Sequence, residues 1–241
     1  MSENDNNNKK GILGFFQGAV DTVKSTVENV KLPEIKLPEI KLPGSKPGDQ
    51  KPEEPVEITA LTIKSVLKII YYLMSADGRI KREEEDTFCS IGKELDPNFI
   101  LFRSLLVDQC RTQIRKALDS EDEIAVLQDG IGVAIAESAK AKDAIISPKV
   151  LVWDLLTVAY SDGEYDEKER QLINYVVREL NVDKAVLLEM ESSFLTLMDL
   201  ENEMKWIKTT DRSYKTIETV VNEISDRKTV IAESIKDLIA F

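Results

Sequence analysis

Apolar positions along most of this chain recur at helical spacing. Over residues 59–75, Ile63, Val66, Leu67, Ile70, Leu73 and Met74 fall on one stripe, which predicts a helix. Asp77-Gly78 then reads as a turn, since Gly accepts positive φ and Asp bonds back to the chain. The pattern predicts further helices over 81–95, closed near Asp96-Pro97, and over 98–118. Ser120 with Glu123 has the spacing of a capping box opening a fourth helix. Ser147-Pro148 opens a fifth, with Pro at its first position, running to Tyr160 before Asp162-Gly163. Asp166 with Glu169 forms a second capping box, followed by a helix to Leu180 and a long one from near Asp183. Two last helices are expected over about 211–225 and 227–239. No segment alternates convincingly as a strand, so the fold class is all-α.

Upstream the pattern changes twice. Residues 1–10 are polar and Asn-rich, which predicts a disordered start. Leu13, Phe16, Val20, Val23, Val27 and Val30 then recur at 3-4 spacing and make one amphipathic stripe. Its uses are contact with a membrane surface, contact with a partner helix, or docking on the rest of the chain. Residues 31–56 hold KLPEI twice in tandem and six of the chain's eight prolines. Proline at that density blocks both helix and central strand, so this is read as an extended linker. The expected organisation is therefore 1–30, 31–56 and a helical domain over 57–241.

A shift of 85 residues aligns two parts of that domain. Tyr71-Tyr72-Leu73-Met74-Ser75-Ala76-Asp77-Gly78 falls on Leu156-Thr157-Val158-Ala159-Tyr160-Ser161-Asp162-Gly163. Glu84 falls on Glu169, and Glu94-Leu95 on Glu179-Leu180. A helix, an Asp-Gly turn, a second helix and a third helix thus occur twice, the mark of a duplicated unit.

Composition narrows the chemistry. The chain of 241 residues has no His, which excludes Ser-His-Asp triads, Cys-His dyads and His-ligated metals. Its two cysteines, Cys89 and Cys110, are too far apart for a redox C-x-x-C motif. No P-loop or dinucleotide fingerprint is present, and Gly130-Ile131-Gly132 reads as close helix packing. The expectation is a protein that is not an enzyme. A net charge of −12 argues against nucleic acid as partner. No apolar run reaches the roughly 18 residues of a membrane span, and no signal peptide is visible, so a cytoplasmic location is expected.

The remaining chemistry lies in the two Asp-Gly segments. Asp77 and Glu84 stand seven residues apart, as do Asp162 and Glu169, with Glu164 and Asp166 added in the second segment. Oxygen donors of this kind suit Ca²⁺ or Mg²⁺. Arg79 and Lys81 replace two of these acids in the first segment and should repel a cation, so the second is expected to be the stronger site. The competing explanation is turn chemistry alone, with Asp capping, Gly turning and Glu favoured in the first helical turn.

An apolar helix, Ser/Ala-Asp-Gly, a short gap, Glu and another apolar helix, present twice, resembles the TerB family of tellurite-resistance-associated proteins. The resemblance spans roughly residues 60–200. It implies a compact all-helical domain in which Asp77, Glu84, Asp162 and Glu169 form acidic functional surfaces. It also implies a stress-response scaffold with a protein partner. Nothing in the residues themselves shows chemistry for tellurite.

Overall fold

The structure, a computed structural model, describes residues 58–240. The chain over this range is all-α. Eight helices follow one another: α1 Ile63–Leu73, α2 Arg82–Leu95, α3 Phe99–Leu118, α4 Glu123–Ala139, α5 Pro148–Ala159, α6 Glu167–Glu179, α7 Lys184–Lys208 and α8 Tyr214–Ala240. The starts of α1 and α5, of α2 and α6, and of α3 and α7 are each offset by the same 85 residues that align the sequence.

The two most apolar helices lie at the centre. Seven residues of α1 are buried, Val66, Leu67, Ile69 and Ile70 among them, and eight of α5, including Leu151, Val152 and Leu156. Each fully buried side chain of this size contributes about 1.5–3 kcal/mol. Helix α1 packs against α3, α4 and α5, while α5 packs against α2, α6 and α7. The outer helices carry the narrower stripes expected of elements with one wet face. Phe88, Phe99 and Phe102 meet edge to face between α2 and α3, with centroids 5.4 and 5.7 Å apart.

Local chemistry sets the boundaries. The Thr62 hydroxyl accepts from Ser65 N–H and starts α1, four residues later than the periodicity suggests. Residues just before it are extended, and Leu61 forms an isolated antiparallel bridge with Ile146. The α4 cap is also corrected. Asp122 takes the Ala125 N–H at 3.0 Å, while Ser120 accepts from Asp122 N–H and lies two residues too early. Ser147 caps α5 as expected, with Pro148 at its first position.

The two helices expected over 211–225 and 227–239 are one. Helix α8 runs unbroken for 27 residues. Ser225 and Asp226 look like a break, but Ser225 Oγ bonds back to the Val221 carbonyl at 2.9 Å and Thr229 Oγ1 to that of Ser225 at 3.0 Å. These hydroxyls are satisfied inside the helix and do not end it.

Helices α7 and α8 pair along their length. Lys149 Nζ, at the start of α5, reaches the Leu238 carbonyl at the end of α8. Farther along the pair, Leu200, Met204, Ile207 and Ile224 form a second, smaller core separate from the main one. The segments 1–30 and 31–56 of the expected organisation lie outside the described residues.

Candidate functional site

Each Asp-Gly segment folds into the same turn. Gly78 and Gly163 have φ of 80° and 88°, a left-handed conformation that costs other L-residues about 1–2 kcal/mol. In each loop the Asp side chain folds forward. Asp77 Oδ1 accepts from Arg79 N–H, and Asp162 Oδ1 from Glu164 N–H, both at 2.8 Å. In each loop the Glu seven residues on folds back. Glu84 Oε2 accepts from Lys81 N–H at 2.6 Å, and Glu169 Oε2 from Asp166 N–H at 3.0 Å. The Asp166–Glu169 capping box is complete, since Asp166 Oδ1 also accepts from Glu169 N–H. Asp77 and Asp162 therefore brace their loops and do not cap the helices that follow.

Packing α1 and α2 against α5 and α6 brings the loops together. Asp77, Glu84, Glu164, Asp166 and Glu169 line one cavity of about 90 Å³ over Leu73 and Met74. Asp162, the sixth predicted acid, is tied to the same place by Lys81. The Lys81 ammonium crosses from the first loop to Asp162 Oδ2 and lies 3.0 Å from Glu164 Oε2. All six predicted acidic residues thus belong to one site contributed by both halves.

The electrostatics follow from burial. Glu84 and Glu169 are 5% and 7% exposed. Burial pushes the Glu84 carboxyl up to about 7, with the Asp77 and Asp162 charges adding to it and the Lys81 N–H opposing it. Burial pushes Glu169 up to about 8, helped by Asp166, Glu84 and Asp162 and opposed by the Asp166 N–H. The Lys81 ammonium is held charged by its hydrogen bonds to Asp162 and Glu164.

Lys81 is the residue whose role the sequence reading missed. Its charge marked the first loop as hostile to cations, but its side chain belongs to the other loop. The 85-residue shift places Lys81 on Asp166, a basic residue opposite an acidic one, which was the available signal. A second missed feature lies between α2 and α5. Asp154 sits in the apolar α5 run, and burial raises its carboxyl well above the usual range, with Glu94 adding to the rise.

Among the described residues, no group of three or more Asp, Glu or Cys side chains is arranged to hold a metal ion. The reason is visible in the bonds: five of the six carboxylates brace backbone N–H groups, and Lys81 supplies a cation to the other faces. The predicted membrane or partner contacts, Leu13, Phe16, Val20, Val23, Val27 and Val30, lie outside the described residues. No helix among the described residues is long and apolar enough to cross a membrane. No protein-family model, curated protein or solved structure matches the chain.

Proposed function

We propose that this chain is a non-enzymatic interaction module of the TerB kind, in which the paired Asp-Gly loops respond to divalent cations. The observation that carries this reading is the convergence of acidic residues from two halves, five lining one cavity and Asp162 joined to it through Lys81. Hard oxygen donors are the ligands Ca²⁺ and Mg²⁺ prefer, so the residue types fit. Their present arrangement does not close around an ion, because Lys81 holds Asp162 and Glu164. In this reading a divalent ion supplies charge neutralisation, and the ammonium of Lys81 is the group it competes with. Lys81 stands immediately before α2 and its partners stand before α6. Releasing it uncouples the two loops and lets the angle between the flanking helix pairs change, which a protein partner can sense.

The second reading is a helical interaction protein with no ligand, its loops being turn chemistry. The engagement of five carboxylates with their own backbone favours it. Calorimetric titration of the full chain with CaCl₂ and MgCl₂ separates the two, run beside Asp162→Asn and Lys81→Met. The cation reading expects saturable heat, lost in Asp162→Asn and tightened in Lys81→Met where the competing ammonium is gone. No saturable heat at millimolar ion in wild type and Lys81→Met, or unchanged affinity in Asp162→Asn, leaves the ligand-free reading standing.

A further inference from the structure

Helix α3 has an apolar face on each side at its start. Phe99 and Leu106 point into the main core, yet Ile100, Leu101 and Leu105 are 55%, 84% and 63% exposed. These three stand within two turns of one another. The other exposed large apolar side chains among the described residues are at least seven residues from one another. Scattered exposed apolar residues are normal on a protein surface, but a cluster calls for an occupant. Beyond Leu105 the outer face of α3 turns polar, with exposed Asp108, Arg111, Thr112 and Arg115. The apolar patch is therefore short and confined to the beginning of the helix.

The course of the chain says what can cover it. A Cβ on Gly78 would lie 3.4 Å from Leu118, so α3 ends beside the first Asp-Gly loop, where α1 also ends. The start of α3 lies about 30 Å away along its 20 residues, against α2, where Phe99 meets Phe88 and Arg103 pairs with Glu85. Residues 58–62 enter the fold at the start of α1. There Thr62 N–H bonds to Ser138 Oγ at the end of α4, and Leu61 pairs with Ile146. The 57 residues before them carry an apolar stripe of their own, Leu13, Phe16, Val20, Val23, Val27 and Val30.

We infer that residues 11–30 dock this stripe on the Ile100–Leu101–Leu105 patch of the same chain. Reach is not limiting, since the Pro-rich residues 31–57 span at most about 80 Å at roughly 3.1 Å per residue. A short tether presents its cargo at an effective concentration on the order of millimolar. A patch of three side chains too weak to capture a separate molecule at micromolar concentration is therefore filled from its own chain. Charge favours the same occupant over an anionic bilayer. Residues 57–241 carry 24 basic against 35 acidic side chains, so the body of the molecule is repelled by such a surface. The polar positions beside the stripe are Asp21, Lys24 and Glu28, which add no net positive charge to draw it to such a surface. The docked segment covers both apolar surfaces at once, and this holds whether or not the acidic loops take a cation.

Hydrogen–deuterium exchange of the full chain tests the docking. Wild type is compared with Leu101→Gln/Leu105→Gln at 5 and 100 μM, with and without vesicles of phosphatidylcholine and phosphatidylglycerol. Because both leucines are exposed, the variant keeps its fold, which unchanged protection in α1 verifies. The expected result is protection of amides in 11–30 that is the same at both concentrations, needs no vesicles and falls at least tenfold in the double variant. Phe16→Asp/Val23→Asp supplies the reciprocal check, since carbene footprinting of Leu101 and Leu105 should rise when the stripe is broken. Four results overturn the inference: no protection of 11–30 in wild type, protection that survives the double variant, protection that grows with concentration, or protection that requires vesicles. The third assigns the patch to a second copy, and the fourth assigns the stripe to lipid.

Discussion

Replacing Glu169 by Gln should make the protein more stable, by a margin that grows as pH rises from about 4.5 to about 8. The carboxyl titrates near 8 in the folded chain against 4.5 when unperturbed. Between these values the folded state holds a proton that the unfolded state has lost. Unfolding free energy then falls as pH rises, by about 1.36 kcal/mol per unit. The stabilising protonated form is fully present below about 4.5, and its advantage is gone above about 8. Integrated over the interval, the cost is on the order of 5 kcal/mol for Glu169 and on the order of 3 kcal/mol for Glu84, which titrates near 7. The two are not additive, because each carboxylate opposes ionisation of the other. Domains of this size are stable by only about 5–15 kcal/mol, so either cost is large.

Glutamine keeps the acceptor that Glu169 offers to the Asp166 N–H and cannot ionise. At pH 5 both side chains are neutral and the two proteins should unfold at nearly the same urea concentration. At pH 9 the Gln variant should be more stable by several kcal/mol, read from urea unfolding followed by circular dichroism. Titration of every distant group cancels in the difference between the proteins. A Gln variant no more stable than wild type at pH 9 would refute the argument that burial, rather than a compensating partner, governs this carboxyl.

Other substitutions test other parts of the fold. Asp154→Asn removes a carboxyl that burial pushes well above its usual range, so thermal melts should show it gaining on wild type as pH rises past the ordinary aspartate range; a constant offset would count against the assignment. Gly163→Ala meets no atom within 4 Å, so any loss must come from backbone strain at φ 88°, about 1–2 kcal/mol by urea unfolding. Gly130→Ala tests packing: its Cβ would lie 2.9 Å from Gln113 Cγ and 3.0 Å from Tyr72 Cζ, and overpacking of this kind costs about 1–3 kcal/mol. The far half of the α7–α8 pair has only its own small core, so amides around Leu200–Ile224 should exchange before those of α1 and α5. Lys228→Met should speed them further by leaving Glu201 buried without its cation.

How far the sequence could be read depended on the range of the interaction involved. Helix periods, Pro148 at the start of α5 and the two Gly turns are local, and the residues carrying them stand where the pattern put them. Breaks inside α8 were misread because Ser225 can serve either as a cap or as a side chain bonded to its own helix. Only packing of α8 on α7 decides between them. The six acidic residues were legible as candidates because both loops repeat the same spacing. Their convergence in one cavity was not legible, since it depends on how α1 and α2 sit against α5 and α6. The Asp154 carboxyl is invisible for the same reason: a single acid in an apolar run declares its burial only once α2 covers it.

Lys81 shows how the pairing of two similar loops limits what each can be. If residue 81 were acidic, as its counterpart Asp166 is, the cavity would gather a further carboxylate and lose the cation that crosses it. Glu84 and Glu169 already sit above their usual range with that cation present. Removing it would raise them further or drive the loops apart, because buried like charges cannot all ionise. A basic residue in one loop and acids in the other satisfy the interface without help from solution. The same exchange sets the conditions for any external cation, which must offer the loops more than a tethered ammonium already does. Lys81→Met is therefore the informative variant. It removes the internal competitor while leaving all six acidic residues in place, so affinity that appears or tightens in it measures what Lys81 contributes in the wild-type chain.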